Sequence, residues 1–437
     1  MPEAVYRMMT LVCRLVAPLP VGTNLGLLHL LWMLVSGQLL ATRGAVIPGL
    51  SACGLAPRAV RRAWAAGGHG AWSSAGLLAR WQELVAAEGR WQAHTHGGYH
   101  PVAVDVTAFW RPRLRGCPTT HYSAAAGRAL PAIPVGLIGR VGSVGTQRLA
   151  VPLACVRAEG ADPRPSTHAR RLVRAAVQQA QADDALLLDA GFGLALLQEE
   201  GAPRYVVRCA KNATFRRAEP PPYQGRGRPP TRGATVRPLA RTVQGRVIPA
   251  TPPDRTATWA EEGLVVRADI WTDLLRADAP PRSVGPTVTV IAVHDPRYRE
   301  PLLLATSLTI SAQAVQALYR DRWPVEQLPL AAKQMLGAAR QFVSARETCQ
   351  RLPELALLAG ALLSYGAATA PAIPTGFWDR RPQPTPGRLR RALARSPFPH
   401  DFPLPARLHV KRVPTAHLPT GFWGQRGRHG PSEEVAA

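Results

Sequence analysis

The stretch DALLLDAGFG, Asp184 to Gly193, decides the fold class. Its apolar run from Ala185 to Leu188 is continuous rather than alternating, the pattern of a strand covered on both faces, and such strands belong to α/β architectures. The run stops at Asp189, just before Ala190 and Gly191, so a carboxylate is expected at a strand end. The helical pattern HARRLVRAAVQQA precedes it, and YVVRCAKNATF, Tyr205 to Phe215, reads as the next strand. Upstream, PVAVDVTAF, AIPVGLIGRV and RLAVPLACV are short apolar runs bounded by Gly, Pro or Arg, which is strand-like spacing. The first of them places Asp105 in the first candidate strand of the core. Downstream, VTVIAVHD and LLLATSLT give two more strands, and a helical pattern starts at Ser311.

Outside this block the texture changes. Residues up to about Arg90 read as helical and basic, with apolar stripes over Leu25 to Leu40 and Gly76 to Ala87. From Arg216 to Thr256 the chain is thick with Pro, Gly and Arg, the composition of an extended or weakly ordered insert. A second apolar helix, LPELALLAGALLSYGAATA, leads into a Pro-rich basic tail beyond Pro371. That tail repeats PTGFW at Pro374 to Trp378 and Pro419 to Trp423, which reads as chance similarity in a low-complexity tail or as an aromatic anchor for a partner.

With 437 residues and 46% apolar content the chain can bury a large core, and its length implies two or three domains. Its formal net charge of +25 points to a polyanionic partner, nucleic acid or an anionic membrane; an Arg-rich codon bias with no partner is the plainer alternative. Six cysteines are scattered with no C-x-x-C pair, which excludes a zinc ribbon and a compact disulfide framework and fits a reducing compartment. The run Leu25 to Leu40 is shorter than the roughly 20 residues of a membrane span and carries His29, Ser36, Gly37 and Gln38, so it is expected to form a buried helix. The mixed charges of the N-terminus argue against a secretory signal. No Walker loop or dinucleotide fingerprint occurs, so nucleotide use is not indicated.

YRDRWPVEQLPLAAKQMLG, Tyr319 to Gly337, holds one of the chain's three lysines. At about 100° per residue, Tyr319, Arg322, Glu326 and Lys333 fall within roughly 60° of one another on a helical wheel, opposite the apolar band Leu318, Val325, Leu328, Met335 and Leu336. An ordinary amphipathic helix would look the same. Pro324 either interrupts this helix or opens it at the first turn. The spacing Y-(2)-R-(3)-E-(6)-K resembles the signature of DDE transposases of insertion-sequence family four. LLLATSL before the helix, KQMLGA at its end, the Gly191 and Phe192 that follow Asp189, and YVVRCAKN also resemble the family.

The resemblance implies an RNase H-like catalytic core, a mixed sheet flanked by helices, with a helical N-terminal unit and an insert between the second and third acidic residues. On that pattern, 1–95 is a helical DNA-binding unit, 96–215 and 286–370 are the two parts of the core, 216–285 is the insert and 371–437 a disordered tail. Asp105, Asp189 and Glu326 would be the catalytic carboxylates and hold two Mg²⁺ or Mn²⁺ ions, for which hard oxygen ligands suit. Water would cut one strand at the element's end, the freed 3′ hydroxyl would attack the opposite strand to form a hairpin, and the reopened end would join target DNA. Tyr319, Arg322 and Lys333 would grip phosphates, and Trp323 or Trp259 would stack on an extruded base unless they serve the core. Partners would be double-stranded DNA, terminal repeats and target, bound by a dimer assembled on it in the bacterial cytoplasm at the nucleoid, with no membrane involved. An inactive DNA-binding relic and a structure-selective nuclease on the same fold are the alternatives. Pro329 departs from the family pattern and puts the helix's regularity in question.

Weaker signals complete the reading. GRGRPP places Arg226 and Arg228 as in minor-groove AT-hooks, with a generic basic linker the favoured alternative. His94, His96 and His100 have metal-like spacing, but no fourth ligand is evident. Asp183, Asp184 and Asp321 read as solvated.

Overall fold

Thirteen strands form one mixed sheet in the computed structural model, which describes residues 2–115, 117–158, 165–225, 228–281 and 285–408. Its central strands are β1 (His100–Trp110), β2 (Arg128–Val144), β3 (Gln147–Arg157), β4 (Asp184–Leu188) and β5 (Tyr205–Arg208). They lie in the order β3, β2, β1, β4, β5; β1 to β4 and β4 to β5 are parallel, and the other two pairs antiparallel. Beyond β5 the same sheet continues through β6 (Arg255–Glu261), β7 (Leu264–Arg276), β8 (Val288–His294) and β9 (Leu302–Thr306), all antiparallel, with β9 against β5 and β6 on β7.

The continuous run that opened the sequence reading is covered on both faces. Leu186 and Leu188 of β4 pack into a cluster with Leu172, Val173 and Ala176 of the helix Pro165–Gln179 (α5), while Ala185 and Leu187 face Val315, Leu318 and Tyr319 on the other side. β1 alternates in the same way: Val102 and Val104 join the α5 cluster, and Ala103 and Phe109 join the cluster that holds the N-terminal helices. By parity, Asp105 and Thr107 share the face of Ala103 and Phe109.

Helices α1 (Glu3–Val16), α2 (Thr23–Val35), α3 (Pro57–His69) and α4 (Ser74–Glu88) precede the sheet, and α5 (Pro165–Gln179) covers the opposite face. The apolar stretch Leu25 to Leu40 does not form one helix. It breaks after Val35, where Gly37 adopts φ 73°, a left-handed conformation that suits glycine, and a short turn follows. α6 (Ala312–Arg320) and α7 (Trp323–Leu330) follow β9, and α8 (Arg346–Thr369) runs through the middle of the helical layer. By length and composition α8 can cross a membrane, yet 83% of its apolar window is buried inside the fold. Half-buried Glu88 ties α1, α4 and α8 together by accepting from Arg14 at 2.9 Å, from the Tyr365 hydroxyl at 2.8 Å and from Arg7. Arg157 of β3 grips buried Glu354 of α8 through two bonds of 2.5 and 2.7 Å.

Three further expectations change. The tail through residue 408 is ordered: α9 (Pro386–Ala394) buries Leu389 and Leu393, and Phe398 and Phe402 are buried after it. Apolar side chains spaced through a Pro-rich composition suffice to dock it. The Pro/Arg-rich insert also contributes structure, since Phe215–Arg217 pairs with β7 and with Thr235–Val236, burying Phe215 and Val236. Asp184 is 1% exposed rather than solvated, and it accepts from Arg140 at 2.6 Å and from the Gln181 amide at 2.8 Å. All six cysteines are free thiols.

Candidate active site

The middle of one strand, the end of its neighbour and the first turn of a helix supply the carboxylates. The parallel register of β1 and β4 runs from His100 opposite Asp184 to Ala103 opposite Leu187. Continued by two residues it sets Asp105 level with Asp189 on the neighbouring strand, where strands lie about 4.8 Å apart. Asp189 is held by the Gly191 amide, which donates to its Oδ1 at 2.7 Å. A Cβ on Gly191 would lie 3.0 Å from that oxygen, so the small residue after the strand end leaves the carboxylate room.

Glu326 comes from α7. Pro324 sits in the first turn of that helix, where its missing N–H costs nothing, and a break at Asp321 and Arg322 separates α7 from α6. Pro329 lies inside α7, and the chain then widens into a π-helical turn, Ala331–Met335, that carries Lys333. Such widened turns recur at functional sites. The four-residue stripe is therefore assembled from three short pieces instead of one regular helix. A close approach by α8 seats α7: a Cβ on Gly360 would stand 3.1 Å from the Leu328 carbonyl oxygen.

The electrostatics tie these groups together. Burial pushes the Asp105 carboxyl up to about 6; Glu326 and Asp189 add to the rise by repulsion, and Arg322 opposes it. Arg322 pairs with Glu326 at 2.5 Å and stands 5.7 Å from the centre of the Tyr319 ring. Burial works against its charge, but Tyr319, Glu326 and Asp105 outweigh that and raise its pKa. Lys333 donates to the Thr107 hydroxyl at 2.7 Å and lies 5.2 and 5.1 Å from the Phe109 and Trp110 ring centres. Burial lowers it to about 8, with Asp105 pulling the other way. Asp105 thus feels Asp189, Glu326 and Arg322, and Lys333 feels Asp105.

Two clefts open here. One, of about 530 Å³, is lined by Asp105, Asp189, Phe192, His121 and His168 among others. The second, of about 860 Å³, is lined by Tyr319, Trp323 and six basic side chains, Arg322 among them, against Asp295 and Glu300. Trp323 is 54% exposed in it, whereas Trp259 is half-buried against the apolar cluster under β7. Among the described residues, no acceptor or donor outside the Tyr319–Arg322 pair meets the buried Tyr319 hydroxyl or Arg322 Nε. Buried polar atoms left in this way suit an acceptor-rich ligand such as a phosphate.

Sequence reasoning missed Thr107 and His121. Thr107, two residues beyond Asp105 on the same strand face, was legible from the period of two. His121 lies on the short strand Thr120–Ser123 beside β2, and nothing local marks it. Burial lowers its pKa, helped by Lys333 and His168, which favours the neutral imidazole in the cleft it shares with Asp105 and Asp189. Asp321 corrects a further expectation. It is 3% exposed, and its carboxylate accepts from His94 Nδ1 at 2.8 Å, from His96 Nε2 at 2.7 Å and from Arg148. Burial would raise its pKa, but His96, His94 and Arg148 hold it below the usual range. His100 stands apart from this group, on the His94 carbonyl at 2.7 Å and on Asp183 at 3.3 Å. Arg226 lies outside the described residues, and Arg228 is exposed. The first PTGFW copy leaves Phe377 and Trp378 exposed; the second lies outside the described residues.

No protein-family model matches the chain, and no curated protein matches it in sequence.

Proposed function

We propose that the chain is a DDE transposase that cleaves DNA ends and joins a 3′ hydroxyl to target DNA. The carrying observation is the convergence of Asp105, Asp189 and Glu326 on one charge cluster, flanked by Arg322 and Lys333. The order β3, β2, β1, β4, β5, with its two parallel pairs, supports an RNase H-like core. All-oxygen donors of this kind fit Mg²⁺ or Mn²⁺. A pair of such ions supplies activation of the attacking oxygen and stabilisation of the leaving one.

The chain's own groups supply the rest. Arg322 and Tyr319, facing the basic cleft, hold a phosphate beside the scissile bond, the guanidinium by two parallel bonds. Lys333, a compact ammonium anchored on Thr107, places positive charge next to Asp105. Trp323 offers an exposed ring for an extruded base to stack on. The six basic side chains of the cleft attract the DNA backbone in a salt-dependent way.

The Arg322 to Glu326 pair favours a second reading, a DNA-binding relic, because the carboxylate is already engaged by a cation. Incubating the full chain and Mn²⁺ with labelled duplexes taken from the DNA on either side of its reading frame separates the readings. Nicking, hairpin formation and strand joining, all lost in Asp189→Asn, are the expected result. Binding without cutting in any divalent metal leaves the relic, and cutting without joining leaves a nuclease.

A further inference from the structure

His94 and His96 share one loop, Asp321 comes from a distant part of the chain, and their candidate ligand atoms lie within 4.8 Å of one another. His94 follows the short strand Gln92–Ala93, and its amide donates to the Val141 carbonyl of β2 at 3.1 Å. His96 and Tyr99 close a tight turn through Gly97 and Gly98, whose φ angles of 58° and 86° suit glycine. Asp321 ends α6, one residue before Arg322. Both imidazoles converge on a single oxygen, Asp321 Oδ2, while Arg148 holds the other oxygen from outside.

We propose that His94, His96 and Asp321 bind one Zn²⁺ ion, which clamps the loop entering β1 to the corner that carries Arg322. Two imidazole nitrogens and one carboxylate oxygen are the mixed donor set that zinc takes and that magnesium and calcium do not. Hydrogen-bond separations of 2.7 and 2.8 Å are shorter than the ligand-to-ligand spacing around an ion bonded at about 2.0 to 2.1 Å. The rings must therefore swing outward as the ion enters. Their side chains are 22% and 28% exposed, which gives them that freedom and leaves water for the fourth position. Arg148 is the outer partner that orients the ligating carboxylate. The site is separate from the carboxylate cluster. Its residues nonetheless bracket that cluster: His94 and His96 precede Asp105 on one side, and Asp321 adjoins Arg322 on the other.

The test uses the full chain without DNA, in excess Mg²⁺ to occupy all-oxygen sites, titrated with Co²⁺ and then with Zn²⁺. The expected result is one Co²⁺ per chain, with the visible absorption of a low-coordinate nitrogen and oxygen site, displaced by Zn²⁺, and a higher melting temperature on Zn²⁺ addition. His94→Gln and His96→Gln should each abolish the absorption and the melting shift, and His100→Gln should retain both. Arg148→Met should weaken binding by about 10- to 100-fold, the range for loss of an outer partner. Near-UV circular dichroism without metal confirms that each variant is folded; if a glutamine variant is not, Asp321→Asn replaces it. Absence of the cobalt absorption in the wild type, its survival in the His94→Gln, His96→Gln double variant, or thiolate bands from a cysteine site instead would each overturn the proposal. None of these readings depends on DNA cleavage, so the outcome stands apart from the transposase assignment.

Discussion

Asp105→Asn isolates a charge that the fold holds at a cost, since burial raises this carboxyl's pKa. The substitution keeps the side chain's shape and removes its ionisation. Raising this carboxyl from 3.8 to about 6 corresponds to about 3 kcal/mol at neutral pH, at about 1.4 kcal/mol per pH unit. The sign follows from linkage. A folded pKa above the unfolded one means that the fold favours the protonated acid, so its contribution is fully present below pH 3.8 and is lost as pH rises through about 6. The asparagine variant should therefore match the wild type at low pH and exceed it by up to about 3 kcal/mol at neutral pH, while losing all metal-dependent cutting. Urea unfolding of both proteins in chelator, at either end of that window, measures the difference. Adding Mg²⁺ should then stabilise the wild type and leave the variant unmoved, because only a native state that binds the ion gains from it. A variant less stable than the wild type at neutral pH, or a difference that does not change with pH, would refute the reasoning.

Other outcomes follow from the same geometry. Mg²⁺ affinity should rise with pH as Asp105 ionises near 6 in the metal-free chain, and cleavage should fall on the alkaline side as Lys333 loses its proton near 8; in Lys333→Arg, whose guanidinium stays charged, whatever rate survives should lack the alkaline limb. Arg322→Ala should abolish cutting and lower the slope of log affinity against log salt by about one phosphate contact in a binding titration. Glu354→Ala removes the buried partner of Arg157, which is a third exposed and keeps Glu347, and should destabilise the chain by about 1 to 3 kcal/mol in denaturant titration, with binding of DNA by the remaining folded protein unchanged.

Much of the fold was legible because burial on both faces writes a continuous apolar run, and the strands PVAVDVTAF, AIPVGLIGRV, RLAVPLACV and DALLLDAGFG all occur as read. Pro324 announced the start of α7 through its fixed φ and missing donor. Other features depend on partners far along the chain. Asp321 and Asp184 look like surface acids locally, and only the packing of Arg148, His94 and His96 on one and Arg140 on the other shows why both are buried. The widened turn at Lys333 was foreshadowed by Pro329, though its form depends on how α8 seats the helix at Gly360. Order in the tail came from Leu389, Leu393, Phe398 and Phe402, whose sparse spacing is hidden by prolines and arginines.

The central claim is that three carboxylates distant in the chain cage a pair of divalent ions. Anomalous diffraction from crystals of the chain soaked in Mn²⁺ tests it most directly. The account predicts two peaks about 4 Å apart, bounded by the oxygens of Asp105, Asp189 and Glu326, with Arg322 turned away from Glu326. Full Mn²⁺ saturation with no peak at these side chains would contradict it.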